Sequence, residues 1–409
     1  MNLACVIPDL SHKGGAESVV VWTAAGLARR GHQVRIVCGR AEPQLWPDLP
    51  ELASLIDLVE AVPRKPSHRE KLTCHRLTGE SLRQRLSEFP LVFAHNFYGL
   101  LWSLQAKGPL LWYCQEPNRT LHARNTESFL MQALQRDDVD LEHPALKQLR
   151  NILRRQTRNW RRRWRTGRRL KRDRQWAARP ETVLVNSSFS RQAFERALQR
   201  PAQVLDLGLP ALEPIEDQPR QDVAVISSAG VKKNLYGVLQ AARELERRAL
   251  LPGLRFRIWG IGTDGPEFQE KVEAWQLQDR VELLGFLPDD QARKILASSQ
   301  LCLFLPLCEP FGLVAVEALM LGTPILVSDH GGPAEILQRC GGGSAVDPLR
   351  PDQIAAAMQA MLAEPDSRRQ ALAQAREGGR RARELFSMES YLDRTESVLQ
   401  QCLAHGRRD

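Results

Sequence analysis

Short apolar runs alternate with longer mixed segments along most of this chain. Residues 3–8, Gln33–Cys38, 91–94, 110–114 and 182–186 are brief stretches of apolar, β-favouring sequence with little polar alternation. A strand covered on both faces has this pattern, whereas a strand with one wet face alternates. The segments between them carry helical spacing. Residues 18–30 read as a helix that ends at Gly31, where a left-handed cap is expected, and 11–17 as the loop before it. A second series of apolar runs, 223–227, 255–259, 281–284, 301–305 and 324–327, follows a proline- and acid-containing stretch at 210–219 that has the composition of a linker. Alternation of this kind implies parallel sheets with helices on both faces. Two such series predict two Rossmann-like, doubly wound α/β domains facing across a cleft. The expected division is 1–208, 209–385 and a C-terminal helical segment, 386–409, that packs back on the first domain.

Composition narrows the class. A chain of 409 residues is long for a single core, and 43% hydrophobic with 26% charged residues is globular. No apolar run approaches the roughly 20 residues that span a bilayer. The first strand is not preceded by a basic segment, so no signal peptide is expected. The eight cysteines form no close pair, and several fall inside expected strands. They read as reduced core thiols of a cytoplasmic protein, with no zinc site. Charge is uneven. Residues 150–179 hold fourteen basic side chains against Asp173 alone, more than the whole chain's net +9. Trp160, Trp164 and Trp176 are interleaved with them. That mixture fits an interfacial helix on an anionic membrane surface, a nucleic-acid-binding segment, or a solvated helix face.

Candidate chemistry is densest after the run at 301–307. Glu309-Pro310-Phe311-Gly312-Leu313 leads into an expected helix, Leu313–Met320, stopped by Gly322-Thr323-Pro324, with a second acid at Glu317. Gly312 lets the backbone approach a ligand, and the free N–H groups of the first helical turn attract an anion. Two acids around an anion pocket suit a molecule with a diphosphate in its middle and hydroxyls at both ends, as in a nucleotide sugar. The plainer reading is a pair of solvated glutamates. Upstream, Gly230-Val231-Lys232-Lys233-Asn234 places two lysines between a strand and a helix, where they would neutralise a diphosphate. Asp289-Asp290 reads as a surface pair and not as a metal site.

Taken together these residues resemble the retaining glycosyltransferases of family 4, which have the GT-B fold. The paired glutamates carry the resemblance most strongly. Gly14-Gly15-Ala16-Glu17 is similar to the family's glycine-rich loop, His95-Asn96 falls where the family has a histidine beside the donor sugar, and Val185-Asn186-Ser187-Ser188 and His330-Gly331-Gly332-Pro333-Ala334-Glu335 match two further segments. The likeness covers most of the chain and is weakest over 65–90 and 120–180. It implies Glu309, His95 and Lys233 as catalytic residues. It implies donor binding by Gly14, Gly15, Lys232, Lys233, Glu309, the backbone of Phe311, Gly312, Leu313 and Val314, and Glu317. Tyr113-Cys114-Gln115-Glu116-Pro117-Asn118-Arg119 is similar to the hexose-acceptor segment of bacterial mannosyltransferases, which implies Glu116 and Arg119 as acceptor ligands and a lean towards GDP-mannose. Two departures stand out: the family's arginine before Lys233 is missing, and Gln115 replaces a histidine.

The implied activity is transfer of a hexose from a nucleotide sugar to a glycan or lipid-linked acceptor. It implies retention by front-face attack, no metal and no cofactor, on a cytoplasmic protein that can sit peripherally on the inner face of the membrane. One rival is an NAD-dependent oxidoreductase, since Gly260-Ile261-Gly262-Thr263-Asp264-Gly265 is a G-x-G-x-x-G after a strand. That fingerprint needs an acid ending the next strand, and Glu282 lies within it. The other rival is a nucleic-acid-binding protein using the Arg-rich segment.

Overall fold

A computed structural model describes residues 1–59, 79–214 and 220–405. Cys74 and the end of the expected linker, 215–219, lie outside the described residues. The chain divides into two compact units, each made of separate stretches.

The first unit comprises Met1–Thr126, Gln156–Gly208 and Met388–Asp409. Its strands are β1 (Asn2–Val6), β2 (Asp9–Leu10), β3 (Gln33–Cys38), β4 (Arg40–Ala41), β5 (Ile56–Leu58), β6 (Val92–His95), β7 (Leu110–Tyr113), β8 (Thr182–Val185) and β9 (Gln203–Val204). Seven form one sheet in the order β5-β3-β1-β6-β7-β8-β9, and β2 pairs with β4 apart from it. All pairings are parallel. Val6, Val37, Val92, Trp112 and Val185 are buried together with Phe194 of the helix Ser188–Leu198, which explains why these strands lack polar alternation.

The helix after β1 spans Gly15–Arg29 and not 18–30 as expected, with Gly14 as its extended N-cap and Glu17 in its first turn. A carboxylate there complements the unsatisfied N–H groups, a gain that the glycines obscured in the sequence. Gly31 has φ +85°, the left-handed stop that was expected. The C-terminal helix, Met388–His405, packs on Gly15–Arg29 through the buried hydroxyls of Tyr391 and Thr23 at 2.9 Å, with Arg30 on Asp393 at 2.7 Å.

The Arg-rich segment is two helices, Pro144–Thr157 and Trp160–Ala177, the second capped by Asn159 Oδ1, which accepts from Arg162 N–H at 2.9 Å. The second helix buries little beyond Asp173 and Ala177. Asp173 is its one acid and meets the buried His122 Nε2 at 2.5 Å. Trp176 packs inward beside Phe97, so only Trp160 and Trp164 stand out from the surface, 71% and 57% exposed. No helix among the described residues is long and apolar enough to cross a membrane.

The second unit comprises Glu127–Arg155 and Leu209–Ser387. Its strands are β10 (Gln221–Ile226), β11 (Phe256–Trp259), β12 (Val281–Gly285), β13 (Ser299–Phe304), β14 (Ile325–Ser328) and β15 (Gly343–Val346), in the order β12-β11-β10-β13-β14-β15. They too are parallel. Val223, Ile258, Leu301 and Leu326 pack with Leu239 and Leu245 of the helix Leu235–Arg247.

Whereas the sequence reading assigned 1–208 to one domain, Glu127–Arg155 packs within this unit. Polar pairs are among its anchors: Arg136 on Asp347 at 2.6 Å, Arg350 on Asp138 at 2.5 Å, and His143 Nε2 on Asn234 Oδ1 at 3.0 Å. Ion pairs between residues some two hundred positions apart leave no periodic trace in a sequence.

Candidate functional site

Each large sheet reverses its strand order beside its first strand. In the second unit the chain adds β11 and β12 on one side of β10, then returns to place β13, β14 and β15 on the other. Connections leaving β10 and β13 therefore diverge, and the crevice between their carboxyl ends is where open α/β sheets bind ligands. Lys232 and Lys233 follow β10, and Glu309 to Gly312 follow β13. In the first unit the reversal falls between β1 and β6. Gly14 and Gly15 come after β1, and His95 is the last residue of β6.

The β10 and β13 loops are joined by backbone and by charge. Leu307 N–H donates to the Lys232 carbonyl at 2.7 Å. Lys233 Nζ donates to Glu309 Oε2 at 2.8 Å and lies 6.0 Å from the Phe304 ring centroid. This pair is half-open to solvent, with side chains 40% and 20% exposed. Lys232, the second lysine expected at a diphosphate, is paired with the buried carboxylate of Glu127.

Gly312 caps the helix Leu313–Met320 with φ +103°, and a Cβ there would stand 2.9 Å from Pro333 Cγ, so both conformation and space require glycine. Phe311 is buried against Phe386, with ring centroids 5.6 Å apart. Glu317 lies one turn into the same helix and is half-buried. Burial, with Glu317 nearby, holds the Cys302 thiol protonated.

The loop after β14 braces Glu309 from the other side. Gly332 N–H donates to the Glu309 carbonyl at 2.9 Å. His330 Nε2 accepts from Cys308 N–H at 3.1 Å while Nδ1 faces Asp329 Oδ1 at 3.1 Å, which assigns the neutral tautomer with its proton on Nδ1. The His330 ring stacks on Phe129, centroids 3.6 Å apart and planes within 12°.

In the first unit His95 is fully buried, and neither ring nitrogen has a hydrogen-bond partner among the described residues. Phe93 lies 4.3 Å from it and Tyr113 6.1 Å, centroid to centroid. Burial drives its pKa down to about 3, so the ring is neutral at physiological pH. Glu17 is raised by burial and faces His12 Nε2 at 3.4 Å. Glu116 and Arg119 form an ion pair with each other. Gln115 Nε2 donates to the Ala16 carbonyl at 3.4 Å and so ties this loop to the glycine loop.

The oxidoreductase fingerprint lacks its acid. Glu282 sits inside β12 and pairs sideways with Arg257 at 3.1 Å. Asp289 and Asp290 are exposed, in the first turn of the helix Asp289–Ala297 and not in a bare turn. Among the described residues no group of three or more His, Cys, Asp or Glu is placed to hold a metal ion.

Four further side chains near these loops are not among the expected site residues, although Ile261 lies inside the glycine fingerprint. Glu127 and Phe129 belong to a stretch with no recognisable motif. Ile261 and Phe286 directly follow the glycines that close β11 and β12 and are 67% and 71% exposed. An apolar residue straight after a strand-ending glycine is a signal that could have found the latter two.

Two family models divide the chain between them. Glycosyltransferase Family 4 matches residues 13–207, and Glycosyl transferases group 1 matches 214–378. Among curated relatives, an MMP alpha-(1->4)-mannosyltransferase of Mycolicibacterium hassiacum is 28% identical over 237 residues, 55% of each chain. The chain spans 18–55% of the lengths of these curated relatives. Two solved structures align along nearly their whole length. A sucrose-phosphate synthase from Thermosynechococcus elongatus gives a TM-score of 0.75 at 18% identity, covering 99% of both chains. HepE of Anabaena in complex with UDP-glucose gives 0.69 at 17%, covering 98% of this chain and 100% of the other. At such identities the likeness is one of fold.

Proposed function

We propose that the chain is a glycosyltransferase of the GT-B type and that it transfers a hexose, mannose by preference, from a nucleotide sugar to a glycan or lipid-linked acceptor with retention of configuration. The observation that carries the reading is the Lys233–Glu309 pair at the β10–β13 reversal beside the Gly312 helix start. In this reading Glu309 takes sugar hydroxyls, and the backbone of Phe311, Gly312, Leu313 and Val314 meets sugar and phosphate. Glu317 takes the ribose hydroxyls. Lys232 and Lys233 stabilise charge building on the leaving diphosphate, where fixed electrostatic help counts most. A lysine pair and a helix start supply that field without a metal.

The family resemblance gives His95 a role towards the donor sugar, and its buried, neutral ring has two nitrogens without partners among the described residues. Gly14 and Gly15 let their loop close on phosphate and acceptor, and Glu116 and Arg119 hold the acceptor hexose. Attack comes from the face that the leaving group vacates, with no covalent enzyme intermediate. Ile261 and Phe286 offer apolar contact to the base. The preference for mannose leans on the mannosyltransferase match, and a nucleotide-sugar donor on the UDP-glucose complex of the HepE structure. The product belongs to polysaccharide or cell-envelope glycan synthesis, and the exposed Arg/Trp helix seats the enzyme on an anionic membrane surface.

A thermal-shift panel of UDP-, GDP- and ADP-sugars tests the donor site. A ligand at a hundred times its dissociation constant stabilises the native state by about 2.7 kcal/mol. GDP-mannose is expected to raise the melting temperature most, and Glu317→Ala to reduce that shift. No shift with any nucleotide sugar would remove the reading.

A further inference from the structure

Glu127 is a carboxylate buried to 2% side-chain exposure, and it faces Lys232 at the mouth of the β10–β13 crevice. Two residues on, Phe129 stacks on His330, whose Nε2 takes the N–H of Cys308 immediately before Glu309. One short stretch thus touches the β10 loop directly and reaches the β13 loop through His330 of the loop after β14. It is seated further along by Arg136 on Asp347 and by His143, whose Nδ1 accepts from Ala145 N–H at 3.2 Å and whose Nε2 therefore donates to Asn234 Oδ1. Asn234 in turn holds the start of the helix Leu235–Arg247 in a left-handed conformation, φ +57°. The β10 loop is fixed at its lysine end and at its helix end by the same segment.

We propose that Glu127 is a positioning residue of the donor site, acting through Lys232, with the stretch from Glu127 to His143 as the brace that fixes the diphosphate loop. The proposal rests on the glycosyltransferase reading given above and names a residue that the family resemblance does not. A lysine is a compact charge on a flexible stem, unlike the planar, pre-organised guanidinium that the family places before Lys233. A fixed carboxylate supplies the missing orientation. It gives the Lys232 ammonium a fixed anchor at the diphosphate loop. Glu127 itself cannot swing to water, and losing its partner would strand a charge in a buried site. Lys232 therefore bridges carboxylate and diphosphate and does not exchange one for the other. Lys233 differs, because its partner Glu309 keeps 20% side-chain exposure where Glu127 keeps 2%.

The test titrates whichever of UDP, GDP or ADP gives wild type its largest thermal shift. Glu127→Gln and Lys232→Met should each weaken binding about tenfold, the scale of one charge-assisted hydrogen bond. Because Glu127 acts only through Lys232, the double variant should bind no more weakly than Lys232→Met alone. Glu127→Asp should recover part of the loss, and it replaces Glu127→Gln if melting without ligand shows the latter unfolded. Multiplying losses in the double variant, or unchanged or tighter binding by the Glu127 variants, would overturn the proposal. Wild type binding none of the three nucleotides would instead overturn the donor-site reading beneath it.

Discussion

His95 shows what a single residue discloses and what it hides. Its place at the end of an apolar run was legible, because the run and its polar stop are local features. Its full burial among Phe93 and Tyr113 was not, because the rings meet only when β6 and β7 pair. That burial has a measurable consequence. The folded pKa of about 3 lies below the ordinary value near 6.5, so between them the unfolded chain binds the extra proton. Stability is complete above pH 6.5 and falls as pH drops towards 3, by about 2 kcal/mol between 6.5 and 5 from this group alone. His143, also lowered by burial, acts in the same sense in the second unit. Glu17, raised by burial, acts in the opposite sense at lower pH. The comparison that isolates His95 is wild type against His95→Phe, melted at pH 7 and pH 5. Wild type should lose more stability on acidification, and equal losses would contradict the assignment. Glu309, Gly312 and Glu317 were legible for a different reason: strand, loop and helix are contiguous, so eight or nine residues specify the local geometry.

At the scale of elements, the strands of both sheets were readable wherever burial on two faces wrote a continuous apolar run. β15 was not, because Gly343-Ser344-Ala345-Val346 has little apolar content and takes its place by pairing with β14. The helix start at Gly15 was missed because glycines mimic a loop. The Arg-rich segment was legible as charge but not as geometry. Asn159 breaks it into two helices, and Asp173 and Trp176 turn one side of the second inward. The opposite side carries Trp160 and Trp164 with arginines set against their rings, Arg161 at 5.4 Å and Arg168 at 4.7 Å from the centroids. Vesicles of neutral lipid with about a third anionic lipid should sediment this protein at low salt and release it at high salt, since exposed charges are screened within about 8–10 Å at physiological ionic strength. Replacing Trp160 and Trp164 with serine should weaken capture while leaving its salt dependence. Capture by duplex nucleic acid with none by anionic vesicles would reverse the assignment of this surface.

At the scale of the molecule, the count of two α/β units followed from two repeats of one alternating pattern. The excursion of Glu127–Arg155 into the second unit did not, because it is held by Arg136, Asp138, His143 and Glu127 pairing with residues far along the chain. Strand order was likewise hidden, and it is strand order that brings the lysines after β10 to the glutamate after β13. In the proposed reading, this reversal point in the second unit grips the donor by its diphosphate. Amide hydrogen exchange with and without the nucleotide sugar of largest thermal shift tests it most directly. Exchange should slow at Phe311 to Val314 and at Lys232 to Asn234. Unchanged exchange at both stretches, with protection confined to Gly260 to Gly265, would contradict the account.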